Sequence, residues 1–357
     1  MTRQIILFVL LAFNMSCASK PLNKDDQDIL KPKELPKELF DKFEVKEIQA
    51  GADSIIEKKP TLPKPTKKST KKKKKLVSQI NVNPLPTPLE SHIPSPLPKE
   101  EISVVFPPMP SPSPNFMILV RRPEKDPIKV SEQMVYEITY FGIAAGDFVL
   151  TVLPFKSVNN RKVYHFQGHA MSSKLFSLFY RVNDWVETFV DYEGWFSHRF
   201  HLTLDETKQT RDSLELNDSE RKKSFYWNRW NHKTRGYTEI KDFFSIEPFP
   251  QDSLSALYYL RTLTYEDQSE IRFPVASEGK CWFASVTLDR REILKTPLGK
   301  IPSIVLKIEA QYQGVLKKSG DSFLWLSDDE RRIPLRLEAK VKIGTVVSSI
   351  KNYKPGL

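Results

Sequence analysis

The sequence predicts a mainly β protein. A curved antiparallel sheet is expected to form a barrel or half-barrel with one or two short helices, preceded by a long disordered Pro/Lys-rich tail. Of the 27 prolines, 18 lie between Pro21 and Pro123. From about residue 126 onward, short runs of alternating apolar and polar residues are separated by turn residues. More than ten such strands in about 230 residues would make a sheet wide enough to curl.

The chain begins with features of an export signal, which we assign to residues 1–16. Arg3 supplies a cation, the apolar run Ile5–Phe13 follows, and Cys17 comes directly after a small residue. The apolar run is too short to span a bilayer, which needs about 20 residues. The segment resembles bacterial lipoprotein precursors, although Asn14 replaces the usual leucine. An ordinary signal peptide cleaved nearby is the alternative.

The resemblance to lipoprotein precursors implies that Cys17 is lipidated and becomes the first mature residue. Ala18 follows, with no aspartate beside the cysteine, and by the resemblance this favours the outer membrane over the inner one. We therefore expect an exported, periplasmic protein that contacts the membrane through a lipid anchor. Cys281 then has no disulfide partner and is expected to be a small buried hydrophobic residue.

Residues 17–125 are predicted to be a disordered tether, because dense prolines remove backbone donors and favour polyproline II. A short helical segment around Glu38 to Gln49 is an open alternative within it. Up to Lys125 there are 22 Lys+Arg against 14 Asp+Glu, a net of +8, whereas the remainder has 33 against 30. The tail therefore makes the protein basic.

A lysine block in the tail is the candidate contact for polyanions. Nucleic acid is the usual partner of such a block, but an exported protein meets lipid head groups, lipopolysaccharide and acidic cell-wall polymer instead. We therefore expect no nucleic acid partner. A solvated, self-repelling linker is the alternative. The residues assigned to the contact are Lys71, Lys72, Lys73, Lys74 and Lys75.

Residues 126–355 are assigned to the antiparallel β domain. Apolar and polar residues alternate along each predicted strand, so each strand buries one face. The clearest runs are Tyr136–Tyr140, Phe148–Val152 after a turn at Gly142–Gly146, Phe200–Leu204, Ile304–Tyr312 and Ile333–Ile343. The last run is expected to be the second arm of a terminal hairpin.

Two segments interrupt the β pattern with helical spacing. Ser172–Tyr180 begins with a serine cap, and the more apolar Pro250–Leu263 has a cap at Asp252. A helix so apolar is expected to be buried, covering the concave face of the sheet. The candidate residues for an apolar ligand or core face are Leu254, Leu257, Tyr258, Leu335, Leu337 and Val341.

Five runs occur along the β domain in the order Gly142–Asp147, Asp252–Arg261, Thr296–Gly299, Trp325–Pro334 and Lys342–Gly344. Together they resemble the signature runs of an exported bacterial family, domain of unknown function 3108, over about residues 130–354. The resemblance implies an envelope protein of antiparallel β fold. It brings no established activity and no catalytic residues.

No catalytic or metal-binding pattern stands out in the sequence. The acidic run Asp328–Glu330 lies where a hairpin turn belongs, and Asp is favoured there because its side chain bonds to the turn backbone. His165 and His169 share a strand face but lie about 13 Å apart, too far for one metal. His198 and His201 point to opposite faces. The common nucleotide and hydrolase motifs are absent, so we expect a non-enzymatic protein without a cofactor, and a hydrolase is the least favoured hypothesis.

Two functions remain open. The first is a tethered β domain of a cell-envelope lipoprotein that binds an apolar ligand or lipid. The second is a structural or scaffold component that contacts the cell wall or an envelope partner through its basic tail. The many aromatic side chains of the β domain favour a filled core over a ligand cavity, and the packing of the inner side of the sheet distinguishes the two.

Overall fold

The computed structural model describes residues 35–48, 117–312, 315–316, 322–340 and 344–357. The predicted signal peptide, Cys17, the lysine block and Val341 lie outside the described residues. Among the described residues, no helix has the length and apolar character needed to cross a membrane.

Three short helices and sixteen strands make up the described part of the chain. The helices are α1 (Lys37–Phe43), α2 (Lys174–Ser177) and α3 (Ser255–Arg261). The strands are β1 (Lys46–Glu47), β2 (Gln133–Tyr140), β3 (Ile143–Val158), β4 (Arg161–Ser172), β5 (Asn183–Asp191), β6 (Ser197–Glu206), β7 (Gln209–Asp218), β8 (Lys223–His232), β9 (Gly236–Ser245), β10 (Glu270–Ser277), β11 (Lys280–Thr296), β12 (Gly299–Tyr312), β13 (Val315–Leu316), β14 (Ser322–Ser327), β15 (Pro334–Lys340) and β16 (Thr345–Lys354).

The strands form one curved antiparallel sheet that does not close. Its order is β10-β11-β12-β14-β15-β16-β2-β3-β4-β5-β6-β7-β8-β9, with β1 added beside β3 and β13 beside β12. The outermost strands β9 and β10 are not paired to each other. Instead, Glu278 at the β10–β11 turn forms an ion pair of 2.9 Å with Arg211 on β7, which brings the two sides of the sheet together. The predicted curved, mainly β fold is confirmed.

The predicted alternation places apolar side chains on the inner face of the sheet. Phe200, Leu202 and Leu204 of β6 are buried, as are Ile304 and Leu306 of β12. They belong to one hydrophobic core cluster that extends across most of the sheet. The alternation therefore identified the core-facing side of these strands correctly.

The turn predicted at Gly142–Gly146 is shorter in the structure. Phe141 and Gly142 alone make the turn, with φ of 50° and 74°, the left-handed pair that suits the twist of a two-residue hairpin. Strand β3 already begins at Ile143. The last predicted strand is β15, the second arm of the β14–β15 hairpin, but β16 follows it and pairs with it. The hairpin is therefore central to the sheet and not terminal.

Part of the predicted tether is folded. Residues 35–48 fall within the range 17–125, yet they contain α1, whose Leu39 and Phe43 are buried, and β1, which pairs with β3. Lys42 on α1 also forms a 2.8 Å ion pair with Asp218 at the end of β7. The helical alternative around Glu38 was correct, although α1 ends at Phe43. This segment forms a strap across the outside of the sheet.

Candidate functional site

Helix α3 lies inside the curved sheet, and Asp252 fixes its start. The Asp252 carboxylate accepts hydrogen bonds from the backbone N–H groups of Leu254 and Ser255, each at 2.8 Å, and from the hydroxyl of Thr188 on β5. Burial raises the pKa of this carboxyl. The predicted cap therefore also ties the helix to the sheet wall.

Aromatic packing fills the space around α3. The ring of Tyr258 stacks on Phe166 of β4 with a centroid distance of 3.8 Å, and Tyr164 packs against Trp195 at 5.0 Å. All seven residues of α3 are buried. Side chains of the sheet therefore pack around the described helix.

The structure brings the candidate apolar residues together in this core. Leu254, Leu257, Tyr258 and Leu335 are buried members of one cluster, and the half-buried Leu337 packs against it. As expected from the sequence, strand β15 thus shares its apolar side with α3. The sixth candidate, at position 341, lies outside the described residues.

A buried ion pair closes the C-terminal end of α3. The Arg261 guanidinium donates to both carboxylate oxygens of Glu132, at 2.7 and 2.8 Å, and to the backbone oxygens of Pro127 and Arg331, at 3.1 and 3.0 Å. Both charged side chains are almost completely inaccessible to solvent. Arg261 therefore joins α3 to the segment before β2 and to the β14–β15 turn. The sequence signal for this role is one arginine at the end of an otherwise apolar helix.

The inner face of β7 and β8 is polar, which sequence reasoning missed. Arg211 donates to Tyr226 and to Glu278, each at 2.9 Å. Glu215 accepts the backbone N–H of Glu278, and burial raises the pKa of the Glu215 carboxyl to about 8. Gly279 has a φ of +72° and its Cα lies so close to Tyr226 that a Cβ there would be 2.9 Å from the ring. These polar groups hold the β10–β11 turn against β7 and β8.

An apolar groove lies on the outer face of the sheet, beneath the strap. Its volume is about 360 Å³, and we call it the α1 groove. Successive residues of β7 point to opposite faces of the sheet. Leu214 and Leu216 therefore point away from the inner side, where Glu215 lies, and contribute to the floor of the groove. The residues that line it are Leu35, Leu39, Phe40, Phe43, Glu44, Val45, Glu187, Phe189, Arg199, Leu214 and Leu216.

Charged side chains occur among the apolar walls of the α1 groove. The neighbouring His165, at 3.5 Å from Glu187, and an amide hydrogen bond from Gln167 lower the pKa of Glu187 to about 2. Glu187 is therefore ionised at neutral pH. Arg199 donates to the backbone oxygen of Phe43 at 3.2 Å and so holds the end of α1 against β6. The groove combines an apolar floor with fixed charges beside it.

The described residues contain no group of three or more His, Cys, Asp or Glu side chains that could hold a metal ion. Asp329 makes turn contacts, since it accepts the backbone N–H of Arg331 at 3.1 Å, and the turn interpretation of this acidic run is confirmed. His198 pairs with Asp191 at 3.0 Å, whereas His201 pairs with Asp212 at 2.7 Å. The two histidines therefore contact different carboxylates, and the register shift at His198 interrupts the alternation that predicted opposite faces.

The geometry defines a class of protein, an open barrel-like antiparallel sheet built around a buried helix. The chain belongs to the family described as protein of unknown function (DUF3108), whose model matches residues 135–351. The matched range contains α2, α3 and every strand from β3 to β15. The family resemblance found in the sequence is therefore confirmed.

Three solved structures show distant likeness to this chain. A β-barrel-like protein of domain of unknown function DUF1849 from Brucella abortus has a TM-score of 0.42 and 11% identity, covering 63% of this chain and 98% of that one. A candidate exported protein with a YmcC-like fold from Bacteroides fragilis has a TM-score of 0.27 and 11% identity, and the match covers 65% of this chain and 100% of that one. A candidate lipoprotein from Parabacteroides distasonis has a TM-score of 0.28 and 9% identity, and the match covers 67% of this chain and 100% of that one. No curated protein matches the chain. Likeness at this distance assigns no role.

Proposed function

We propose that this chain is a non-enzymatic, membrane-anchored envelope protein whose β domain binds an apolar ligand, such as an acyl chain, in the α1 groove. The observation that carries the proposal is the contrast between the two faces of the sheet. The inner face is packed around α3, whereas the outer face beneath α1 leaves about 360 Å³ lined mainly by apolar side chains.

The size and lining of the α1 groove favour a slender apolar ligand. Ligand pockets usually measure about 300 to 1,000 Å³ and combine apolar walls with a few polar groups, and this groove lies at the lower end of that range. Phe189, Leu214 and Leu216 supply apolar floor, while Arg199 and Glu187 flank it. An acyl chain would bury its methylene groups here at about 0.8 kcal/mol each.

The proposed location follows from the start of the chain. The leader before Cys17 resembles that of a lipoprotein, and the proline-rich segment that follows would give the β domain reach from a membrane. A domain held near lipid would meet acyl chains at high local concentration. Anchoring to the outer membrane is part of the proposal.

A pair of matched variants tests this function. Val45 lies in the wall of the groove, so Val45→Trp should fill it, whereas Val120→Trp places the same bulk at a site that is 74% exposed. Because the indole would occupy space that the ligand needs, we expect binding of a fluorescent dodecanoate to weaken by about tenfold, or about 1.4 kcal/mol, in Val45→Trp only. Native mass spectrometry of the unaltered protein from its own membranes should show bound lipid. Equal binding by both variants, with no co-purifying lipid, contradicts the proposal.

The scaffold function remains the second candidate, favoured by the packed interior and by the basic block. Under it, Lys71–Lys75 would contact acidic cell-wall polymer or an envelope partner. Deleting residues 58–75 should then abolish salt-sensitive association with the cell wall while leaving the melting temperature of the β domain unchanged. Unchanged fractionation at physiological salt would exclude this role for the block.

A further inference from the structure

One end of the sheet carries an exposed apolar surface built from two separate segments, which we call the α2 end. The tip of the β2–β3 hairpin contributes Phe141 and Ile143, which are 61% and 63% exposed. Helix α2 and the residues directly after it contribute Leu175, Leu178 and Phe179, which are 70%, 77% and 78% exposed. Contiguous exposed side chains of this size typically mark an interaction surface.

The two segments are held next to each other by the fold. The backbone N–H of Ser173 donates to the oxygen of Ala145 on β3 at 2.8 Å. Phe176 of α2 packs against a small cluster that includes the buried Tyr180 and Val182. Because Phe176 faces the sheet, the helix presents its leucines outward. Backbone and side-chain contacts therefore attach the apolar surface to the sheet.

The side chain of Ser173 fixes the start of α2. Its hydroxyl accepts the backbone N–H of Phe176 at 3.2 Å, which satisfies one of the free donors at the helix start. Helix α2 nevertheless has no buried residue. Since burial of its apolar side chains would be favourable, the helix has the composition of an interface that is complete only with a partner.

Cations lie around this apolar surface. Lys174 and Arg181 flank the exposed leucines and are themselves exposed. The β6–β7 turn is joined to this end, because the N–H of Thr207 donates to the oxygen of Arg181 at 2.9 Å, and the N–H of Lys233 donates to the oxygen of Lys208 at 2.9 Å. The α2 segment, the β6–β7 turn and the β8–β9 turn thus bring Lys174, Arg181, Lys208 and Lys233 to the same end of the sheet.

Four carboxylates near this end are paired with cations or buried. Asp205 accepts from the Arg181 guanidinium at 2.8 Å, and Asp147 forms a 2.8 Å ion pair with Lys351. Asp184 and Glu206 are buried, and burial raises the pKa of both carboxyls. A negatively charged surface would therefore meet little repulsion here.

We propose that the α2 end docks on an anionic lipid bilayer. Leu175, Leu178 and Phe179 enter the interfacial region together with the β2–β3 tip, and Lys174, Lys208 and Lys233 contact lipid phosphates. Apolar side chains combined with cations are what surface binding to anionic membranes requires. This contact is separate from ligand binding in the α1 groove and from the predicted lipid anchor, and it would set the orientation of the tethered domain on the membrane.

Vesicle sedimentation tests this proposal on the full-length chain carrying Cys17→Ser, which removes the predicted lipidation site. The test variant adds Leu178→Asp and Phe179→Asp, and the matched control adds Ile293→Asp and Leu298→Asp, at residues that are 67% and 39% exposed in the β11–β12 hairpin. Leader and tail are identical in both. With phosphatidylglycerol-containing vesicles at 0.15 M salt, we expect the test variant to partition about tenfold less than the control.

On pure phosphatidylcholine vesicles the difference between the two proteins should shrink, because the cations of the α2 end then lack anionic partners. The melting temperature of each variant verifies the fold, since the substituted side chains are exposed. Equal partitioning of test variant and control overturns the proposal. So does a loss of self-association in the test variant without a change in vesicle binding, because a second copy of the chain would then be the partner of the α2 end.

Discussion

Helices α2 and α3 are alike in sequence and opposite in environment. Each begins with a capping side chain, Ser173 or Asp252, and each continues with apolar residues in pairs. All seven residues of α3 are buried, whereas α2 has none. Apolar spacing therefore predicts where a helix forms, but the sheet determines what its apolar side contacts. In this fold α3 stabilises the core, and α2 remains available for recognition.

Removing the ion pair at the end of α3 should have the largest effect. Arg261→Met leaves the buried Glu132 carboxylate without its partner, and breaking a buried pair in this way costs about 3 to 5 kcal/mol. Urea unfolding measures the loss. Lys351→Met is the control, because its ion pair with Asp147 is nearly half exposed and should contribute less than about 1 kcal/mol. Similar losses in the two variants would contradict the central role of Arg261.

The same leucine truncation in the two helices tests the comparison directly. Leu257→Ala should lower the free energy of unfolding by about 2 to 5 kcal/mol, because it leaves a cavity in the core. Leu175→Ala, at a residue of α2 that is 70% exposed, should change it by no more than about 0.5 kcal/mol, as is usual for exposed positions. Equal effects in urea unfolding would show that α2 is packed in solution.

The pH dependence of the free energy of unfolding should reveal the titration of the buried Glu215 carboxyl on β7. Burial is the main cause that raises the pKa of Glu215 to about 8. The hydrogen bond from the Glu278 backbone N–H and the charge of Arg211 act against it, whereas the charges of Glu278 and Asp252 raise the pKa further. A carboxyl with a raised folded-state pKa stabilises the fold below its unfolded pKa, near 4.5. That contribution is lost as the pH rises toward 8.

Glu215→Gln should therefore flatten the decline of stability between pH 5 and pH 8, by at most about 1.4 kcal/mol per pH unit. Urea unfolding at four pH values across this window measures the slope. Parallel stability curves for the variant and the unaltered protein would show that Glu215 is ionised in the folded state.

The smallest effect is expected from the cap of α2. Ser173→Ala removes the hydrogen bond to Phe176 and should cost about 0.5 to 1 kcal/mol within the helix, with little change in global stability. Hydrogen exchange should accelerate at residues 176–180 and remain unchanged in α3. Exchange that accelerates in both helices would mean that the two are cooperatively coupled.

The alternation of apolar residues correctly predicted the strands and the buried side of β6, because a strand buries every second residue when one face is covered. It did not predict which face of β7 is apolar. There Leu214 and Leu216 point to the α1 groove, whereas Arg211 and Glu215 point inward. Alternation in the sequence shows that a strand has one apolar and one polar face, but it does not show which of the two faces the interior. Helix α1 was difficult to assign for the same reason, since its partner is the outer face.

The buried role of Arg261 could be inferred only in part. An arginine in an apolar helix indicates a buried partner, but Glu132 lies 129 positions away in the chain, and only the fold brings them together. The hairpin turn at Asp329 was easier, because its side chain bonds to a backbone group two residues away. Local contacts were predictable from the sequence, and the long-range polar contacts were not.

Photolabelling with a diazirine-bearing fatty acid, followed by peptide mapping, tests the central claim most directly. A ligand bound outside a packed core should label peptides that contain residues 39–45 or 214–216, and Val45→Trp should suppress the labelling. Labels concentrated on residues 254–261 and 335–337 would show that the interior around α3 opens to ligand. That result would contradict the assignment of this region as solid core.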